Sequence, residues 1–139
     1  MSYRCTAVLV TAVSLLDGCA PYREVESPMR VELDVFSGRP NPSWELSAEE
    51  AGELARRLED LRPVDRAPAE PGLGYRGFVV SMPGREIRVY QGVLTITEDG
   101  STRRYADVNR IEGWLAGQAR RHGHGGLVAA IAGEGGPSG

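Results

Sequence analysis

The amino-acid sequence predicts an α+β domain, in which a small, mostly antiparallel sheet of about five strands carries two helices on one face. Three observations predict this class. Short runs alternate apolar and polar residues, as strands with one buried face do. Two stretches carry apolar residues at helical spacing. Short turns separate the later strand-like runs, and strands that follow each other so closely favour antiparallel pairing. The predicted order of elements is β-α-β-β-β-β-α.

Five runs have the composition and alternation of strands. They cover residues 29–37, 75–82, 86–91, 93–97 and 101–105. Pro83-Gly84 separates the second run from the third, and Gly92 separates the third from the fourth. Asp99-Gly100 is a dipeptide typical of two-residue hairpins, so the last two strands are expected to pair directly.

The two predicted helices each begin at a recognisable cap. Ser47 and Glu50 have the spacing of a capping box, and the helix is expected to run over 47–61. Its apolar stripe comprises Ala51, Leu54, Ala55, Leu58 and Leu61. Asp107 is expected to cap the second helix, whose stripe comprises Val108, Ile111, Trp114 and Leu115. Residues 29–121 are therefore predicted to form a single domain, followed by a Gly-rich flexible tail over 122–139.

The N-terminus has the layout of a secretory signal. Arg4 is followed by the uncharged, mostly apolar stretch 6–16, which is too short to span a bilayer but has the length of a signal-peptide apolar region. The run Leu16-Asp17-Gly18-Cys19 closes this stretch. It resembles the lipobox of bacterial lipoproteins, with Asp17 standing where a small uncharged residue is usual.

The resemblance implies a cell-envelope protein anchored by lipid. Residues 1–18 would be the signal peptide, Cys19 would be acylated after cleavage, and 19–28 would be a tether to a domain outside the cytoplasm. Acyl chains on Cys19 would make the membrane a partner. Two alternatives remain open: the segment is an uncleaved core helix, or translation starts at Met29 and gives a cytosolic protein-interaction domain.

Composition limits the classes of partner and the cysteine chemistry that the chain can have. The formal net charge is −3, which gives no general attraction to nucleic acid, and none is expected as a partner. Cys5 and Cys19 are the two cysteines, so a processed and acylated chain would keep neither a free thiol nor a disulfide. All 16 basic residues are arginines, which indicates either selection for anion contacts or a GC-rich genome.

Two stiff, arginine-bearing loops are the candidate binding surfaces. In residues 37–42, Arg39 and Asn41 are held between glycine and proline residues. In residues 72–78, Tyr75 and Arg76 stand among glycines that permit close backbone approach. The competing interpretation of the first loop is a structural turn whose arginine pairs with a nearby carboxylate.

The sequence contains no recognisable catalytic set. His122 and His124 are spaced like two metal ligands, but zinc requires three or four, and neither a metal nor another cofactor is expected. A hydrolase would have to use one of these histidines as its base. The favoured function is a lipid-anchored, non-catalytic module that binds a protein or another envelope ligand; the cytosolic module and, after it, the hydrolase are the alternatives.

Overall fold

The structure is a computed structural model that describes residues 27–133, and within them seven strands form one sheet. The strands are β1 (Arg30–Leu33), β2 (Ser43–Glu45), β3 (Arg62–Pro63), β4 (Phe78–Met82), β5 (Arg85–Tyr90), β6 (Val93–Glu98) and β7 (Ser101–Ala106). The helices are α1 (Ala48–Arg57), α2 (Ile111–Ala119) and α3 (Gly125–Ala132), and a kinked turn, Arg120–His124, joins the last two. The strand order is β2-β1-β4-β5-β6-β7-β3, and every pair is antiparallel.

One face of the sheet forms the core. Strand register aligns Val31, Val80, Ile87 and Ile96 in one row, and it aligns Leu33, Phe78, Val89 and Leu94 in the next. These residues are buried in one cluster with residues that the helices contribute, namely Leu54, Ile111, Leu115, Ala119, Val128 and Ile131. Because side chains alternate across a strand, the opposite face carries the intervening residues, many of them polar.

The predicted α+β class and antiparallel sheet are confirmed, but the strand count is seven rather than about five. The additional strands are β2 and β3, which have three and two residues. Neither is long enough to show an alternating pattern. Pro63 lies inside β3, where its missing N–H is tolerated at the border of the sheet.

Helix α1 begins as predicted and ends earlier. The Ser47 hydroxyl accepts from the Glu50 amide, and the Glu50 carboxylate accepts from the Ser47 amide, so the capping box is present. The helix ends at Arg57 because the side-chain amide of Asn109 binds the carbonyl oxygens of Arg57 and Glu59, at 2.8 and 3.1 Å. This contact comes from a residue 52 positions further along the chain.

Asp107 caps the second helix as predicted, although it does not lie directly before the first helical residue, Ile111. Its carboxylate accepts from the amides of Ile111 and Glu112, at 2.7 and 2.9 Å. The residue directly before the helix is Arg110, whose φ of 55° places it in the left-handed region. The chain therefore makes a tight turn over 107–110 before α2 starts.

The prediction of a flexible tail from residue 122 was wrong for residues 125–132, which form α3. Val128 and Ile131 of this helix are 1 % and 4 % exposed, because their spacing turns both toward the core. Burial of this face outweighs the low helix propensity of Gly125 and Gly126. Residues 134–139 lie outside the described part of the chain.

The predicted signal peptide, the lipidation residue Cys19 and the tether up to residue 26 also lie outside the described residues. Among residues 27–133, no helix combines the length and the apolar character needed to cross a membrane.

Candidate functional site

The loop that joins β1 to β2 is anchored on one buried carboxylate, that of Asp34. One of its oxygens accepts from Nε and Nη2 of Arg76, at 3.0 and 2.5 Å. The other accepts from Nη1 of Arg88 at 2.9 Å. Burial acts to raise the pKa of Asp34, but the hydrogen bonds and charges of Arg76 and Arg88 outweigh it and lower that pKa. Asp34 is therefore ionised and paired at neutral pH.

Asn41 closes the same loop from inside. Its Oδ1 accepts from the amides of Val35 and Phe36, at 3.0 and 2.7 Å. Its Nδ2 donates to carboxylate oxygens of Glu32 and Asp34, at 3.0 and 3.2 Å. The side chain has thus committed both donors and both acceptor sites to the protein. Asn41 fixes the loop, and its amide is not available to a ligand.

Arg76 belongs to this network as well. Besides Asp34, its guanidinium contacts the carbonyl oxygen of Phe36 at 2.8 Å and the hydroxyl of Ser37 at 3.0 Å. The Arg76 amide donates to the Asp34 carbonyl at 2.7 Å. Arg76 therefore joins the second predicted loop to the first. The sequence hypothesis of a structural turn closed by an arginine–carboxylate pair applies, with Arg76 rather than Arg39 as the arginine.

Arg39 is the predicted residue that remains at the surface. Its guanidinium carbon lies 3.5 Å from the centre of the Phe36 ring, which is a cation–π arrangement. Within residues 27–133 it forms no ion pair. Gly38, with φ at 82°, supplies the turn that lifts Arg39 away from the sheet. The half-buried Phe36 and the exposed Arg39 thus form a surface platform on a fixed loop, which we call the Arg39 platform.

Tyr75 points into the protein, where it contacts Glu112 and the rings of Phe78 and Tyr90. Its hydroxyl donates to Glu112 at 2.6 Å, and the same carboxylate accepts from the amides of Gln91 and Gly92, at 3.2 and 3.1 Å. Burial, together with the neighbouring Glu112 carboxylate, raises the pKa of Tyr75, so the hydroxyl stays protonated and donates. Glu112 is 2 % exposed and ties α2 to the turn between β5 and β6.

Gly77 also serves the fold. Its φ is 101°, and a Cβ at this position would lie 2.2 Å from the carbonyl oxygen of Val89. The close backbone approach that the glycines of residues 72–78 permit is therefore made with strand β5.

His122 and His124 lie in the kinked turn and not in a tail. Both rings pack against Trp44 of β2, with ring centres 5.5 and 5.6 Å from the centre of its ring. Nε2 of His122 is 3.6 Å from Oε1 of Glu50. Among the described residues, no group of three or more His, Cys, Asp or Glu side chains is placed to hold a metal ion.

The sequence arguments missed the two carboxylates that organise these loops, Asp34 and Glu112. Alternation along the predicted strand 29–37 puts Asp34 on the polar face, and nothing in one sequence pairs it with arginines 42 and 54 positions away. Glu112 had a usable signal, since it stands between apolar residues in a mostly apolar helix. The same signal applies to Gln118, which is completely buried in α2.

The arrangement supplies one exposed cation on a rigid support, together with carboxylates that are already occupied by partners. Such a surface suits recognition of an anionic or aromatic group. No protein-family model, no curated protein and no solved structure matches this chain.

Proposed function

We propose that this chain is a lipid-anchored lipoprotein of the cell envelope, whose domain is a non-catalytic binding module. The observation that carries the proposal is the run Leu16-Asp17-Gly18-Cys19, placed directly after an apolar stretch of signal-peptide length. Cys19 is the acylated residue of this proposal, and the membrane is the partner that its acyl chains engage.

The position of the domain along the chain supports this reading. Met29 packs against the core, and its carbonyl oxygen accepts from the Leu46 amide, so the fold begins about ten residues after Cys19. At about 3.3–3.6 Å per residue, the intervening chain reaches at most roughly 35 Å. That reach is long enough to hold the domain outside the headgroup region of a bilayer.

The binding surface of the proposal is the Arg39 platform. Asp34, Asn41 and Arg76 fix its loop through partly buried hydrogen bonds, so little conformational entropy is lost when a partner binds. The exposed guanidinium offers two-point contact to a carboxylate or phosphate. The partner class is therefore a protein or envelope component that presents an anionic group.

Mass spectrometry of the native protein tests the anchor. We expect a chain that starts at an acylated Cys19 and fractionates with the membrane. Globomycin treatment should block cleavage, and Cys19→Ser should abolish the acyl mass and release the protein from the membrane. A wild-type protein that is soluble, unacylated and begins at Met29 would instead support the cytosolic alternative.

Cross-linking followed by capture tests the surface separately. Arg39→Ala should reduce capture of the native partner while the melting temperature stays unchanged, since Arg39 contacts Phe36 at the surface only. Arg103→Ala removes another exposed arginine, from β7, and is the matched control. Equal capture by the Arg39→Ala protein and the wild type would remove the platform from the proposal and leave the anchor standing.

A further inference from the structure

An apolar groove lies between the first turn of α1 and the turn that joins β4 to β5. Its volume is about 450 Å³, and small-molecule sites in proteins measure about 300–1,000 Å³. None of the described residues that line the groove is charged, although 25 % of the residues of the chain are. The lining includes Ser27, Met29, Leu46, Ala48, Ala51 and Met82.

The floor of the groove is the last row of the core face of the sheet. The register of β1 with β2 and β4, continued by one residue, places Met29 between Leu46 and Met82. The Leu46 amide donates to the Met29 carbonyl oxygen at 2.9 Å, which extends the ladder in the same register. Leu46 belongs to the core, and the two methionines are half-buried against it. Methionine side chains are flexible and adapt to the shape of an apolar ligand.

The groove is open because α1 begins with small side chains. Leu46 and Ala51 hold the N′ and N4 positions of the helix, where two large apolar residues often pack together as a hydrophobic staple. Ala51 supplies only a methyl group there, and Ala48 at the rim is exposed. The space over the methionines is therefore left open at a position where a larger apolar residue would stabilise the protein.

The position of the groove along the chain indicates what can fill it. Ser27 lies in its wall, eight positions after the predicted lipidation residue Cys19. At about 3.3–3.6 Å per residue, those eight positions reach at most roughly 29 Å. An acyl chain on Cys19 can therefore reach either the bilayer or the groove, and the uncharged, apolar lining suits a hydrocarbon.

We propose that this groove shelters one of the acyl chains of Cys19, an inference that rests on the lipid anchor of the proposed function. The methylene groups of that chain pack against Met29, Leu46 and Met82, and the remaining acyl chains hold the protein in the membrane. A chain that lies in the groove no longer contributes to the anchor. Sheltering therefore makes attachment to the membrane more readily reversible, because membrane binding weakens with each chain that is lost from the bilayer.

Photo-cross-linking of the acylated protein in its native membrane tests this occupant. The photoreactive residue p-benzoylphenylalanine, which inserts into nearby C–H bonds, replaces Ala48 at the rim. Its matched control replaces Glu49, which is exposed at the next position of α1 and lies outside the groove. We expect mass spectrometry to find residue 48 joined to an acyl chain on Cys19 of the same molecule, and residue 49 joined to little or none.

The other outcomes of this experiment overturn the proposal. A cross-link from residue 48 to bilayer phospholipid alone would show that the groove takes a membrane lipid. Cross-links to protein only, equal yields from residues 48 and 49, or no cross-link would show that it does not hold the acyl chain.

Ala51→Leu tests whether the acyl chain needs the open groove. Leucine fills the space over the methionines and completes the staple with Leu46, so the melting temperature should be at least that of the wild type while the cross-link from residue 48 is lost. Ala55→Leu, at an exposed position outside the groove, should leave the cross-link unchanged. A stable Ala51→Leu protein that still cross-links to its acyl chain would contradict the proposal.

The mass of the N-terminal peptide separates this inference from the proposed function. A wild-type protein without an acyl group on Cys19 would overturn both. An acylated, membrane-bound protein without the cross-link from residue 48 would overturn only the sheltering of the chain.

Discussion

At the scale of single residues, two carboxylates hold the irregular segments against the sheet. Asp34 gathers Arg76 and Arg88, and Glu112 gathers the Tyr75 hydroxyl and two backbone amides. Asp34 and Glu112 are 9 % and 2 % exposed. Each carboxylate therefore depends on its hydrogen-bond donors to compensate for the loss of water around its charge.

Asp34→Asn removes the charge and retains the shape of the side chain. We expect a loss of about 2 kcal/mol of unfolding free energy at pH 7, because two arginines lose their charged acceptor. Arg88 is 40 % exposed, and solvent screens its share. Urea unfolding measures the change, with Asp65→Asn as an exposed control.

The difference in unfolding free energy between the wild type and Asp34→Asn should depend on pH. The folded-state pKa of Asp34 is below its ordinary value of 3.8, so its stabilising effect is fully present above that value and is lost as pH falls through the folded-state pKa. The difference in stability between wild type and Asp34→Asn should therefore shrink as the pH is lowered from 5 to about 2. A constant difference over this interval would contradict the assigned ion pairs.

Tyr75→Phe and Glu112→Gln should be strongly coupled. The Tyr75 hydroxyl donates to Glu112 inside the protein, so both changes act on the same hydrogen bond: Tyr75→Phe removes its donor, and Glu112→Gln removes the charge of its acceptor. A double-mutant cycle should give a coupling free energy of about 1–2 kcal/mol. Tyr105→Phe combined with Glu112→Gln is the control, and we expect those two effects to add.

At the scale of elements, local chemistry predicted the starts of helices better than their ends. Ser47 and Glu50 form the expected capping box because both partners lie within four residues. The end of α1 depends on Asn109, which no local pattern connects to Arg57. Strands β4 to β7 were predictable for the same reason, since their pairing follows chain order. Strand β3 instead pairs with the distant β7, and β2, although it pairs with the preceding strand β1, is too short at three residues to show a pattern.

The candidate site was less predictable than the fold. Residue type and loop setting indicate Arg39, Asn41, Tyr75 and Arg76, and the structure brings three of them to one loop region. Whether a polar side chain faces a ligand or the protein depends on its long-range partners. Asn41 and Arg76 find theirs in and around Asp34, and only the folded chain shows that.

The packing of α3 on the core can be tested by shortening one of its buried side chains. Val128→Ala should cost about 2 kcal/mol of unfolding free energy, because the removed methyl groups are fully buried. Val108→Ala is the same change at a residue that is 45 % exposed, and it should cost much less. Equal effects of the two changes in thermal unfolding would mean that α3 does not pack on the core.

The packing of α3 decides which variants can test the hydrolase alternative. Truncation after Arg121 would remove Val128 and Ile131 from the core along with both histidines. His122→Gln and His124→Gln remove each imidazole and leave α3 in place. If the wild type has a hydrolase activity and both variants retain it, neither histidine is its base.

At the scale of the whole molecule, the chain must return from one border of the sheet to its centre. Strand β3 pairs with β7, and the next strand, β4, pairs with β1 and β5. The connection between β3 and β4 carries the chain over this distance and enters the centre at Gly77. The arrangement of strands therefore depends on a close backbone contact at that residue.

Gly77→Ala should destabilise the protein by about 3 kcal/mol or more. The substitution combines an unfavourable φ with a Cβ only 2.2 Å from a carbonyl oxygen of β5. Gly72→Ala is the matched control in the same connection, since nothing lies within 4 Å of the added methyl group. Soluble yield and melting temperature report the result, and a Gly77→Ala protein as stable as the control would contradict the described backbone contact.

The brevity of β2 and β3 has a consequence for how copies of this protein meet. These strands form the two borders of the sheet, and they leave few unpaired backbone groups to a neighbour. Pro63 removes one donor from a border strand that has only two residues. Long, flat borders recruit other chains into a continuous sheet and lead to aggregation. A protein that a membrane anchor would concentrate in two dimensions thus carries a sheet that is poorly suited to joining its neighbours edge to edge.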